Sequence, residues 1–547
     1  MKRILFIFAA IAALMLSCEK PEPDSGPDTG KVRPGYKELL EAYDAGKVFK
    51  EVQPSAEVNV VVFEDGSKIN VPVTSFMIHD HTKTPAPIVE VEAGMQWWSV
   101  GGQVTGIKAL PTVTSKEDSE PVYVYYDKKT LYMHLSNRDV LKFVSRALIE
   151  EEEDKLAQEE LARRQNIPVI EIDTGGKGIY DKENYVKGTI TIKDPEKLYS
   201  DVEEFTAPMG IRGRGNSTWS FPKKPWKVKL DSKASIFGMG ADKEWCLLAN
   251  YSDRTLMRNI LAMKLSEVCG FAWTPHMYSV HVYLNKEYQG VYTFCEHKKV
   301  SADRVDIDLD AGDVYLEIEQ QQDEITCWWT SMGVPMMFSD PEEPSAELLA
   351  EIQKHFEDFE DALYSKDMAD PNKGYAAYID VDSFIDYYIV QELAKNTDGN
   401  LRKSSFITKK KGGKLVMHHL WDFDLTFGNS GGLLHDPEGF FIKDFNPAWQ
   451  VGDNWFNRMM KDPAFVDRLQ ARWNELYPQL QSMVDFIDDQ ALILDKAQKE
   501  NFKVWSIWES VDWVDCPSLG SYEKEVDFLK EFYSKRVEWM NTAINKL

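Results

Sequence analysis

The sequence predicts an α+β protein: a small β-rich module, a charged connecting helix, and a larger mixed domain with a helical C-terminal part. Three observations predict it. Residues 58–73, VNVVVFEDGSKINVPV, place apolar runs on either side of Asp65-Gly66, the strongest local hairpin signal. Residues 138–166, RDVLKFVSRALIEEEEDKLAQEELARRQN, combine helical spacing with dense charge. Near the C-terminus Trp455, Phe456, Phe465, Leu469, Trp473 and Leu476 recur at helix-like intervals, as a buried helical face requires.

Taken in order, the chain opens on MKRILFIFAAIAALMLSC, with Lys2 and Arg3, a short apolar run and a small residue before Cys18. This reads as a secretory signal. Leu16-Ser17-Cys18 resembles the lipobox of bacterial lipoproteins, so residues 1–18 are expected to be a lipoprotein signal peptide, with lipidation at Cys18. Residues 19–50 begin EKPEPDSGPDTG and are expected to form a solvated tether and a short helix. From 51 to 140 short alternating segments predict the β-rich module. GMQWWSVGGQVTG and PVYVYYDKKTLYMHL continue it, with aromatics that suit a core or a ligand surface. His79-Asp80-His81 lacks a third ligand and is read as structural or exposed. Residues 141–165 are the charged linker helix, and 166–547 the mixed domain, helical from about 441.

Composition narrows the function. The 547 residues hold 63 Lys and Arg against 89 Asp and Glu, a formal net charge of -26. Loss of residues 1–17 removes Lys2 and Arg3, and 61 minus 89 leaves -28. Such a field repels nucleic acid and anionic membrane surfaces, so no nucleic-acid partner is expected. No later run approaches the ~20 apolar residues of a spanning helix, which leaves the lipid as the membrane anchor. With Cys18 lipidated, Cys246, Cys269, Cys295, Cys327 and Cys516 remain, without CxxC spacing. They suggest neither a disulfide framework nor a zinc site, although one or two pairs could close in an oxidising compartment.

Against this acidic background, residues 211–230, IRGRGNSTWSFPKKPWKVKL, hold six cations and no carboxylate. In the strand expected at its end, Lys227 and Lys229 share one face. Their compensation is either acidic side chains from elsewhere or a bound polyphosphate, whose oxygens a glycine-rich loop can approach. A basic edge strand that deters aggregation is the other reading. Residues 412–428, GGKLVMHHLWDFDLTFG, read as a turn and an apolar strand ending at Asp422 and Asp424. Carboxylates held there by a rigid element suit Mg²⁺, which takes one or two protein carboxylates plus substrate phosphates; an acidic strand cap is the alternative. His418 and His419 fall on opposite faces. Upstream, a helix ends at Asn396-Thr397-Asp398-Gly399-Asn400, a turn-like cluster.

The order Asp398, Asn400, Asp422 matches that in which kinases present a catalytic aspartate, a metal-binding asparagine and a metal-binding aspartate. Four blocks, RGRGNSTWSFPKKPWKVKL, WCLLANYSDRTLMRNILAMKL, VYLNKEYQGVYTFCEHKKV and WDFDLTFG, together resemble the spore-coat protein H (CotH) kinase-like family over roughly 166–540. The resemblance implies an atypical protein-kinase-like domain that binds ATP with Mg²⁺ or Mn²⁺ and phosphorylates extracytoplasmic or spore-coat proteins. It implies Asp398 as catalytic base, Asp422 as metal ligand, and Asn400 and Asp424 as further metal ligands. Lys227 or Lys229 would contact phosphate beside Arg214, with Glu296 or Glu317 fixing the lysine. The expected protein is a kinase anchored by lipid at the outer membrane, on its periplasmic or surface side. Its partners would be a protein substrate or surface partner, and a glycan through the N-terminal module. The alternative is a catalytically inactive binding or assembly lipoprotein that keeps the fold as scaffold.

Overall fold

The computed structural model describes residues 35–547 apart from 73–76, 81–86, 93–94, 101–102, 113, 117, 120, 400, 432–433, 445–451, 509–515 and 517. Cys18, His81 and Asn400 therefore lie outside the described residues. The chain divides into two compact units, Met1–Glu160 and Leu161–Leu547.

In the first unit the helix Tyr36–Asp44 accompanies three small sheets. Phe49–Gln53, Val58–Phe63 and Lys68–Pro72 form an antiparallel meander. Its turn is the Asp65-Gly66 pair: Gly66 sits at φ 81°, and the Asp65 carboxylate accepts from the Ser67 amide at 2.9 Å. A four-stranded sheet runs Val140–Val144, Thr130–Leu135, Pro121–Tyr126, Met77–Asp80, and a third comprises Ile88–Glu92, Met95–Val100 and Gln103–Lys108. The aromatics are mostly structural. Trp98 is buried and donates Nε1 to the Ser136 carbonyl at 3.2 Å, and Tyr125 stacks on Tyr132. The helix Arg146–Arg164 buries none of its residues as far as they are described, as its charge density requires.

The second unit is built on a closed seven-stranded barrel. Its seven strands, in the order Val169–Asp173, Val186–Lys193, Glu204–Gly213, Trp226–Ala234, Asp242–Leu248, Glu287–Glu296 and Met277–Leu284, make six antiparallel pairs, and the last strand closes on the first in parallel. Period-2 alternation fills its interior. Ile170 and Ile172, Ile190 and Ile192, Met209 and Ile211, Val228 and Leu230, Trp245 and Leu247, Tyr292 and Phe294 all point inward and are buried.

Alternate residues on the outside, among them Cys246 and Cys295, join a second, larger core. That core includes an antiparallel sheet in the order Cys327–Trp329, Pro335–Asp340, Val314–Ile318, Ser405–Lys409, Leu415–Met417. It also includes the helices Arg258–Cys269, Ala346–Tyr364, Val381–Ala394, Pro463–Gln481, Met483–Val504 and Tyr522–Ile544. Several begin with a side-chain cap: Ser345 accepts from Leu348, Asp380 from Ser383, Asp462 from Ala464. Trp455, Phe456, Phe465, Leu469, Trp473 and Leu476 are all buried in this core, so the architecture is α+β with a helical C-terminal part. The five described cysteines are free thiols, with Cys246 and Cys295 directly opposed across neighbouring strands.

Candidate active site

Three elements deliver the site. The helix Val381–Ala394 is buried on nearly every side and ends with Lys395 in a left-handed turn, φ 45°. Asn396 then accepts the Asp398 amide at 3.0 Å, and the Asp398 carbonyl accepts from Lys403 at 2.9 Å, so the aspartate stands on a loop fixed at both ends. The second element is the segment after Leu415–Met417. Trp421 and Phe423 are buried, while Asp422 between them adopts φ 57°. A non-glycine residue held there stores strain, and over-determination by the surroundings keeps it. The Phe423 amide donates to Asn259 Oδ1 at 2.7 Å, and Arg258 Nε donates to the Thr426 carbonyl at 3.0 Å. Arg258 is itself locked by the buried Asp253, Nη1 to Oδ1 2.5 Å.

The third element is the glycine loop after Glu204–Gly213. A Cβ on Gly213 would lie 2.5 Å from the Trp219 ring, and Gly215, at φ 81°, would meet Thr218 Oγ1 at 2.1 Å. Both close approaches demand glycine. The loop brings the Arg214 guanidinium over the Trp421 ring at 5.7 Å.

Asp398, Asp422 and Asp424 lie near enough here for the charges of Asp398 and Asp422 to act on their neighbours. Asp422 lies in a cleft whose walls thin its hydration and raise its carboxyl, although the side chain still meets solvent. Arg214 and Lys298 act against that rise, and Asp398 adds to it. Asp424, half-buried, is pushed up to about 7, first by loss of hydration and then by Asp422; its bond from the Ser252 hydroxyl works the other way. Ser404 Oγ donates to Asp422 Oδ2 at 3.4 Å. Neighbouring carboxylates, Asp424 raised by Asp422 and Asp422 by Asp398, are a hard-oxygen set short of positive charge, which fits a divalent cation sharing them with substrate phosphates. Among the described residues no three His, Cys, Asp or Glu side chains close on a metal-sized point by themselves.

The other expected residues are placed differently. Glu244 Oε2 is 3.1 Å from Lys227 Nζ and Glu244 Oε1 is 3.0 Å from Lys229 Nζ. The acidic compensation for the two lysines is thus Glu244, rather than Glu296 or Glu317. Register explains it: Lys229 lies directly opposite Glu244 on the next strand. Glu296 instead holds His276, accepting from its amide at 2.8 Å and contacting its ring Nδ1 at 3.1 Å. Glu317 is buried and paired with Lys298, whose ammonium sits 4.3 Å over the Phe406 ring. Burial raises the Glu317 carboxyl, Lys298 lowers it, and Asp422 lies close enough to raise it again.

Of the six cations in 211–230, Arg212 bonds the Lys182 carbonyl, Lys223 the Val291 carbonyl and Asn501, and Lys224 the Trp219 carbonyl. Burial drives the Lys223 ammonium well down. Arg214 is the one whose charge acts on the aspartates.

Sequence reasoning missed Lys298, Glu244, Ser252 and Asn259. Lys298 stood in the block VYTFCEHKKV and Ser252 and Asn259 in NYSDRTLMRN, so the blocks carried the signal without a role for each residue. The family model described as CotH kinase protein matches residues 211–540, more than half of the chain. No curated protein matches it. The first two barrel strands precede the matched region, and the glycine loop, the Asn259 helix and all three aspartates fall within it. The chain belongs to the CotH kinase family.

Proposed function

We propose that this protein is an extracytoplasmic atypical kinase that transfers the γ-phosphoryl group of ATP to protein hydroxyls. Family membership implies a kinase-like fold and use of ATP. The observation that carries the reading is the proximity of Asp398, Asp422 and Asp424, from segments about two dozen residues apart, to Arg214 and the Lys298–Glu317 pair. Asp422 and Asp424 would hold Mg²⁺ or Mn²⁺, with Asn400 as a further ligand; the metal's chemistry is to offset charge on the phosphate oxygens. Arg214 and Lys298 take the phosphate contact, because their charges act on Asp422, whereas Lys227 and Lys229 are both held by Glu244. Asp398 accepts the proton of the acceptor hydroxyl as its oxygen bonds to phosphorus, and the bond from the γ-phosphorus to the bridging oxygen breaks to release ADP. Most of the acceleration comes from positioning and fixed charge.

The expected location is the outer membrane, through a lipid on Cys18, with a protein partner or glycan engaged by the N-terminal module. Exposed Ile88 and Val91 on its three-stranded sheet support such a surface. Mass spectrometry after incubation with ATP and Mg²⁺ or Mn²⁺ tests the chemistry. A gain of phosphate mass in the parent, absent in a folded Asp398→Ala variant, is expected. Equal absence in both, across nucleotides and metals, would leave the scaffold reading.

A further inference from the structure

Cys246 and Cys295 stand directly opposite each other on the antiparallel strands Asp242–Leu248 and Glu287–Glu296. Opposite residues of such a pair project from one face of the sheet with their Cα atoms about 4.5 or 5.5 Å apart, inside the roughly 4.4–6.8 Å that a disulfide spans. Both side chains are fully buried on the outside of the barrel, against the larger core. The two thiols are in reach of each other. A hydrogen bond from Cys295 leads the influences that hold Cys246 well below the usual thiol range, with Arg214 and His297 adding to it against burial. Cys295 is driven well above that range, first by burial and then by the same bond.

The other described cysteines face elsewhere. Cys327 Sγ donates to the Glu324 carbonyl at 3.2 Å, Cys516 Sγ to the Gly428 carbonyl at 3.4 Å, and the buried Cys269 ends the helix Arg258–Cys269. The opposed pair also brackets part of the scaffold of the candidate active site. The roughly fifty residues between its members include Ser252, whose hydroxyl donates to Asp424, and Asn259, whose side chain accepts the Phe423 amide beside Asp422. A covalent link between Cys246 and Cys295 pins both ends of the segment that holds those aspartates.

We infer that Cys246 and Cys295 form a disulfide in the exported protein, closed while the chain folds and before the larger core covers the two thiols. The inference rests on the export proposed above, because a reducing compartment keeps such a pair as thiols. The oxidant is a disulfide donor. One cysteine thiolate attacks it to form a mixed disulfide, the other displaces the donor's second sulfur, and the pair's two electrons and two protons leave on the donor as two thiols. Closing a loop of this length restricts the unfolded chain and so favours the folded one.

The test is to refold the reduced full chain in a mixture of reduced and oxidised glutathione, block the remaining thiols under denaturing conditions, and map the peptides by mass spectrometry. A linked pair of peptides carrying Cys246 and Cys295 is expected as the main product. The bridged chain should melt about 3 °C or more above the same chain treated with a phosphine reductant, a comparison that needs no variant to fold. Cys269→Ser should keep both the link and the shift, and Cys295→Ser should lose both. Recovery of Cys246 and Cys295 as blocked thiols, links between other cysteines in their place, or equal melts for the bridged and reduced chains would overturn the inference. No nucleotide or metal enters the experiment, so its failure and the failure of the kinase reading are distinguishable.

Discussion

Asp424 shows how one carboxyl couples the site to stability. Its folded pKa of about 7 lies above the value of about 3.9 for an aspartate in an unfolded chain. Between those values the folded state binds more protons than the unfolded one, so this group's contribution falls as pH rises from about 4 through about 7. Asp424→Asn removes the ionisation and keeps an oxygen for Ser252. In urea melts the variant should exceed the parent by about 1–2 kcal/mol at pH 8, a figure reduced for partial exposure, and by much less at pH 5. A pH-independent difference would refute the shift. Mn²⁺ should stabilise the parent more at pH 8 than at pH 5, because metal and proton compete for the same oxygens. Glu244 makes the opposite case. Lys227 Nζ and Lys229 Nζ draw its carboxyl down to about 2 against the loss of hydration that raises it, so it stays ionised throughout this range. Glu244→Ala leaves Lys227, 12% exposed, without its anion beside Arg212. A loss of about 1–3 kcal/mol is expected, and Glu244→Ala with Lys227→Met should recover part of it in a double-mutant cycle.

At the scale of elements, the site depends on loops held open by their neighbours. Asn259 is the first-turn residue of Arg258–Cys269, and its side chain is what keeps the Phe423 amide, and so the φ 57° of Asp422, in place. Asn259→Ala should lower phosphotransfer by about tenfold or more while costing only about 1–2 kcal/mol, since it removes one buried hydrogen bond but releases strain beside the metal carboxylate. Parallel losses of activity and folding would mean the contact only holds the helix. The motif order pointed to Asp398 and Asp422, because each follows a recognisable apolar helix or strand, and Asp424 stood beside Asp422 in the same block. The partner of Lys227 and Lys229 was not legible. Which carboxylate faces a lysine across a sheet depends on strand register, and a shift of one residue would have turned Glu244 to the other face. Lys298 was hidden for a related reason: it sits just past the end of Glu287–Glu296, where alternation no longer says which way a side chain points.

The whole second unit turns on barrel closure, which the sequence could not announce. Val169–Asp173 pairs in parallel with Met277–Leu284, a contact between segments about a hundred residues apart that leaves no local mark. Alternation in VIEID and VKGTITIK shows half-buried strands but not what they pair with. One consequence is testable. The family match begins at residue 211, yet Ile170, Ile172, Ile190 and Ile192, all buried in the barrel interior, precede it. Burying each is worth about 1.5–3 kcal/mol, so together they rival the roughly 5–15 kcal/mol that holds a domain folded. Starting at 211 also cuts Glu204–Gly213 to its last three residues and bares the edges of Trp226–Ala234 and Met277–Leu284, which then offer unpaired backbone groups to other chains. A chain of residues 161–547 should therefore unfold cooperatively and stay monomeric, whereas residues 211–547 should aggregate or lack a sharp melt. Circular dichroism and size exclusion of the two chains decide it. A cooperative, monomeric 211–547 would show that the barrel core is dispensable and that the larger core alone carries the fold.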